Sequence, residues 1–186
     1  GMLPCSFPVT SHIIVTMVMA LFIFIAVTIV GFYKHGIKYL TLFVPKGVPI
    51  ILLPCRLLWN KGVREFLICA KNIKEKGINV RFVIVGQIDK ENPESISRKE
   101  IENWENENLI EYWGKKNNMQ SIYSKSNIIC FPSYREGLPK ALLEGASFGL
   151  PLVTSDTVGC RDVVKDGVNG FLVPVRDSAE LEKAIY

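Results

Sequence analysis

Histidine is nearly absent from this sequence: His12 and His35 are the two, and both precede the globular part. A mechanism needing an imidazole base within that part must borrow it from elsewhere. Cysteine is sparse and unpatterned. Cys5, Cys55, Cys69, Cys130 and Cys160 are odd in number, widely spaced and form no C-x-x-C. That argues against a disulfide framework or a zinc-ligand set, so no metal is expected and the thiols are read as buried in a reducing compartment. The net charge of +4 is mild and scattered, which argues against nucleic acid as a partner. Internal repeats and low-complexity tracts are lacking too.

What is present falls into two parts. Ile13 to Phe32 (IIVTMVMALFIFIAVTIVGF) is an uncharged apolar run of 20 residues. As a helix it reaches about 30 Å, the thickness of a bilayer's hydrocarbon core. Lys34, His35 and Lys38 follow it and no Lys or Arg precedes it, which places the rest of the chain on the cytoplasmic side. The n-region lacks basic residues and no A-x-A site follows, so a signal peptide is disfavoured. Residues 1–47 are expected to be a membrane-spanning segment with its linker. A buried core helix or a hydrophobic hairpin is the other reading.

From Ile50 onward short apolar runs alternate with helical patterns. Strands are expected at Ile50–Cys55, Arg81–Val85, Leu109–Tyr112, Ile128–Phe131, Leu152–Thr154 and Gly170–Val173. Val63, Phe66, Leu67, Ala70 and Ile73 recur at helical spacing as one apolar stripe. Ser97 with Glu100, and Asp177 with Glu180, have the spacing of capping boxes. This alternation predicts a single doubly wound α/β domain over residues 48–186, a parallel sheet covered on both faces, preceded by the hydrophobic helix.

Such sheets bind ligands at the carboxyl ends of their strands. Arg56 directly follows the first strand, and Lys61 with Gly62 opens the next helix. Two cations beside free helix N–H groups form an anion site; two solvated surface cations are the equal alternative. Gly86 ends the second strand, where a side chain would crowd an approaching ligand. In "PSYREGLPKALLEG" Pro139 suits the first turn of a helix, so Glu136 lies in the loop before it and Glu144 inside it. Eight residues of helix would leave these acids about 80° apart, so they are no general acid/base pair. They read as separate contacts to one ligand. Glu144, among Leu142, Leu143, Gly145 and Ala146, suits the adjacent hydroxyls of a ribose. Alternatively it pairs with Lys140 one turn earlier. Glu136, with the amides of Gly137 and Leu138, faces phosphate or sugar oxygens.

At this point "RLLWNKG", "FVIVG", "FPSYREGLPKALLEGASFGLPLVTSD" and "GVNGFLVP" resemble, in order and spacing, the C-terminal domain of glycosyltransferase family 4, a GT-B family. The resemblance covers about Pro49 to Tyr186. It implies a Rossmann-like domain and transfer of a sugar from a nucleotide-sugar, typically a UDP-sugar, with retention of configuration and commonly without a metal. It implies that Arg56 and Lys61 hold the diphosphate, that Glu144 binds the ribose, and that Glu136 and the following amides bind the transferred sugar. The turn at Tyr112–Gly114 would lie against the base. The variant resembles bacterial enzymes that extend lipid-linked or surface oligosaccharides, acting at the cytoplasmic face of the inner membrane on a glycan or lipid-linked acceptor.

The sequence also departs from the family. Asp162 stands where the family often has Glu. Only 48 residues precede the match, too few for the partner domain, and the last helix is cut soon after it begins, at "SAELEKAIY". The chain is expected to be the donor-binding half of a transferase, truncated at its C-terminus. A nucleotide-sugar epimerase and a non-catalytic, membrane-anchored nucleotide-binding module remain as other readings.

Overall fold

The computed structural model describes residues 9–35 and 47–186, which belong to two compact units, Gly1–Gly47 and Val48–Tyr186. In the first unit α1 spans Val9–His35, 27 residues. Its apolar side chains are exposed, Phe22 at 70% and Phe24 at 69% among them. Among the described residues no helix is long and apolar enough to cross a membrane. The side chains of Ile13, Ile14, Phe32 and the two histidines, together with Cys5, Lys38 and the linker 36–46, lie outside what the structure describes.

The second unit is one six-stranded sheet, built from β1 (Ile50–Pro54), β2 (Arg81–Val85), β3 (Glu111–Tyr112), β4 (Ile128–Phe131), β5 (Leu152–Ser155) and β6 (Gly170–Val173). The order is β3-β2-β1-β4-β5-β6, with every neighbouring pair parallel. All five residues of β1 are buried. A strand covered on both faces reads as an unbroken apolar run, which is why "IILLP" was recognisable without alternation. The helices are α2 (Val63–Glu75), α3 (Arg98–Asn106), α4 (Gln120–Tyr123), α5 (Lys140–Ser147), α6 (Val158–Arg161) and α7 (Ser178–Ile185). On α2 the buried stripe is Val63, Phe66, Cys69, Ala70 and Ile73. Leu67 sits at its border, packed against the core but only partly buried.

Three local expectations need correction. The third strand begins at Glu111, not Leu109, because Leu109 N is spent on Trp104 O in the turn leaving α3, with Asn108 left-handed at φ 55°. Pro139 sits just before α5 rather than in its first turn. Ser97 and Glu100 do form a reciprocal capping box. Asp177 accepts from Ala179 N and Glu180 N, but the Glu180 carboxylate pairs with Lys183 instead of returning to the cap.

The strand order runs outward from β1 to β3 and then restarts at β4 on the other side of β1. The connections leaving the C-terminal ends of β1 and β4 therefore diverge, and the crevice between them is the switch point of the sheet. Residues 55–62 and 132–139 form its two lips.

Candidate functional site

The lips are fastened to each other. After β1 the chain makes a 3-10 turn at Trp59–Lys61 and enters α2 through Gly62, whose φ of 74° favours glycine. A Cβ there would lie 2.0 Å from the Pro132 carbonyl oxygen, so only glycine lets the two loops touch. Tyr134 N donates to Asn60 O at 2.9 Å. The Tyr134 hydroxyl reaches both Glu65 carboxylate oxygens at 2.8 Å, and the Arg176 guanidinium covers its ring at 4.7 Å. Across this seam Lys61 Nζ donates to Glu136 Oε1 at 2.6 Å, with only 17% and 15% of the two side chains exposed. Cys55 lies behind the pair, and burial pushes its thiol up to about 12, outweighing the opposing pull of Lys61. It remains a neutral thiol rather than a nucleophile.

The loop bearing Glu136 also rests on α6. A Cβ on Gly159 would stand 1.7 Å from Gly137 O and 2.7 Å from Glu136 O. The small residue at the start of α6 thus sets the height of the "EGL" backbone. Gly137 and Leu138 are exposed above it.

Other expected residues are held elsewhere. Arg56 is 58% exposed and donates to Asp89 Oδ2 at 3.1 Å, so it and Lys61 are each engaged by a different acid. Asp89 comes from the polar loop between β2 and α3, from which no spacing rule singled it out. Gly86 does not leave room for a ligand: a Cβ there would lie 1.7 Å from the Cys55 carbonyl oxygen, so its smallness admits the neighbouring backbone. Gly86 N donates to Gly114 O, and the Tyr112 hydroxyl donates to Gly86 O at 2.8 Å. These three expected residues do form one cluster, at the ends of β2 and β3. Burial raises the Tyr112 phenol above its ordinary value and keeps it a donor.

Glu144 is not a deeply buried, unpaired acid. About a third of its side chain is exposed, and it has two partners: the Tyr123 hydroxyl at 2.9 Å and Lys140 at 3.5 Å. The pairing with Lys140 is the alternative left open by the sequence. Glu144 borders a hollow of about 600 Å³ together with Asn117, Asn118, Met119, Gln120 and Phe148. Arg56, Lys61 and Glu136 are not among the residues lining that hollow.

Among the described residues, four buried side-chain oxygens have no hydrogen-bond partner: Asn60 Oδ1, Ser95 Oγ, Ser155 Oγ and Thr157 Oγ1. Ser155 ends β5 and Thr157 follows it, while Asn60 lies in the turn after β1 and Ser95 bridges to Leu58 in that same connection. Unpaired buried polar atoms are uncommon in the body of a domain and collect where function constrains the backbone. No group of three or more metal-ligating side chains converges among the described residues.

With this geometry in place, the chain can be set beside known proteins. Its first residues resemble a different family from the rest: the model for the ATP synthase A chain matches residues 1–61, and subunit a of ATP synthase from Pelagibacter ubique is 67% identical over 54 residues, 29% of this chain and 22% of that protein. The sheet unit resembles the N,N'-diacetylbacillosaminyl-diphospho-undecaprenol alpha-1,3-N-acetylgalactosaminyltransferase of Campylobacter jejuni, 32% identical over 137 residues. That match covers 74% of this chain and 34% of the relative, so the chain spans about a third of its length. In fold it is similar to the Anabaena protein HepE, solved in complex with UDP, with a TM-score of 0.66 and 20% identity over 80% of this chain and 41% of HepE. The model of the glycosyl transferases group 1 matches residues 41–186. The six parallel strands, the switch-point seam and that match agree, and the chain belongs to the group 1 glycosyl transferases, of GT-B fold.

Proposed function

We propose that residues 48–186 are the donor-binding half of a retaining glycosyltransferase that draws its sugar from a UDP-sugar. The observation that carries this reading is the Lys61–Glu136 contact at the switch point. It holds a cation suited to a diphosphate and an acid suited to sugar hydroxyls 2.6 Å apart. In this reading Lys61 and Arg56 draw the diphosphate and stabilise charge on the departing UDP. Arg56 first leaves Asp89, a small cost because an exposed pair contributes less than about 1 kcal/mol. Glu136 and the amides of Gly137 and Leu138 take the transferred sugar. Glu144 accepts from the ribose hydroxyls, while Tyr112, Gly114 and Gly86 hold the backbone against the base. Arg56 and Lys61 supply the positive charge at the leaving group, so turnover is expected to persist in a chelator.

The names of the relatives support the substrate classes. HepE was solved with UDP, and the Campylobacter relative is named for a diphospho-undecaprenol acceptor. We therefore read the acceptor as a glycan or lipid-linked sugar. The uncharged stretch Ile13–Phe32 and the cations after it support a place at the cytoplasmic face of a bacterial inner membrane.

Titration of the chain with UDP in a calorimeter tests the site. Weak binding that Lys61→Ala abolishes is expected, without sugar transfer by this chain alone. Absence of any UDP binding by the unaltered chain would sink the reading.

A further inference from the structure

Tyr123 lies outside the motifs that carry the family likeness, yet its hydroxyl donates to Glu144 Oε2 at 2.9 Å across 21 residues of sequence. Its residue exposure is 2%, and its ring packs 5.6 Å from that of Phe148. The hydroxyl therefore cannot swing aside unless the ring leaves its packing. Glu144 stands on α5 with about a third of its side chain in solvent, and without an anchor its carboxylate would sample several rotamers. Lys140 is a poor anchor, because it is 87% exposed and 3.5 Å away. Burial above all, and then the hydrogen bond to Glu144, raise the Tyr123 phenol well above its ordinary value, so it serves only as a donor. One fixed donor occupies one lone pair of Oε2. The remaining acceptor positions are left for a ligand at the hollow that Asn117, Asn118 and Gln120 also border.

We propose that Tyr123 is a positioning residue that locks the Glu144 carboxylate for two adjacent ligand hydroxyls, and so sets the choice of ribonucleotides over 2'-deoxyribonucleotides. This rests on the reading of Glu144 as the acceptor of the ribose hydroxyls. Ordering that would otherwise accompany binding is completed on folding, which is how preorganisation raises affinity. A ligand lacking one hydroxyl gains nothing from the lock, so the effect of Tyr123 belongs to the hydroxyl contact and not to the nucleotide as a whole.

The test is calorimetric titration of the whole 186-residue chain with UDP and with 2'-deoxy-UDP. The unaltered chain is expected to prefer UDP by about tenfold or more, the worth of one hydrogen bond to a charged group. Tyr123→Phe keeps the ring and removes the donor; it should reduce that preference to about twofold while leaving 2'-deoxy-UDP affinity within about twofold. Lys140→Ala should retain the full preference. Should Tyr123→Phe not fold, Glu144→Asp draws the carboxylate back from the hydroxyl by one methylene and should lose the preference in the same way. A folded Tyr123→Phe chain with undiminished preference overturns the inference and leaves the ribose reading standing. Equal loss of affinity for both nucleotides marks Tyr123 as merely structural and also overturns it. An unaltered chain that binds both nucleotides alike overturns the ribose reading, and the inference with it.

Discussion

Lys61 Nζ and Glu136 Oε1 lie 2.6 Å apart although 75 residues separate them in sequence, and both side chains are more than four-fifths buried. Each supplies the other's counter-charge. A diphosphate approaching Lys61 must compete with Glu136 for the same ammonium. Glu136→Gln is therefore expected to raise the affinity for inorganic pyrophosphate severalfold, up to about tenfold, while lowering transfer by the full-length enzyme. Lys61→Ala acts in the opposite sense and strands a largely buried acid. It should cost about 2 kcal/mol, read as a lower urea midpoint at neutral pH. Unchanged pyrophosphate affinity in Glu136→Gln would show that the pair does not gate the anion.

Gly159 is expected to matter for binding although it carries no functional group. A methyl at this position would stand 1.7 Å from Gly137 O, so Gly159→Ala must lift the backbone beneath Glu136. UDP affinity should fall at least tenfold. Gly149→Ala provides the control, since it meets no atom within 4 Å and suffers only from its φ of 68°. That substitution should cost about 1 kcal/mol of stability and leave UDP affinity unchanged.

The two cases show which parts of the molecule could be read ahead of its structure. Strands such as Ile50–Pro54 and Arg81–Val85 announce themselves because burial on both faces demands an unbroken apolar run. Lys61 and Glu136 were each legible as residues at strand-to-helix junctions. Their contact follows from the reversal of strand order between β1 and β4, which is a tertiary fact. Glu144 was legible as an acid on an apolar helix, but its partner Tyr123 was not, because Tyr123 sits on a four-residue helix with no spacing rule linking the two. Gly86 and Gly159 illustrate a further limit. A glycine marks a close approach, but only coordinates reveal whether a ligand or another stretch of backbone makes it.

The two caps give a test of local motifs. Ser97 accepts from Glu100 N while the Glu100 carboxylate returns to Ser97 N. Asp177 caps two backbone groups without a reciprocal partner. Ser97→Ala should cost about 1 kcal/mol. Glu100→Gln should preserve the cap, because an amide oxygen can still accept from Ser97 N. Glu180→Gln should likewise leave the α7 cap intact, since its carboxylate faces Lys183. Urea midpoints of the three variants check the order.

The seam between α2 and α7 should make stability depend on pH in the acid range. Hydrogen bonds from Lys76 first, and then Asn72, hold the Glu182 carboxyl below its ordinary 4.5. A carboxyl lowered in the folded state contributes its full stabilisation above the unfolded value, and loses it as pH falls through the folded value below that. Glu182→Gln should therefore lower the thermal midpoint by a few degrees at pH 6 to 7, with a gap that narrows as pH falls below 4.5. At high pH the partner behaves inversely. Lys76 is raised above 10.5, chiefly by its hydrogen bond to Glu182, so its contribution is complete below that pH and fades as pH climbs through the raised value. Thermal melts of the two chains at about one-unit intervals from pH 3 to 7 read the narrowing directly. A gap unchanged down to pH 3 would mean that the seam is held by shape and not by the ionised acid.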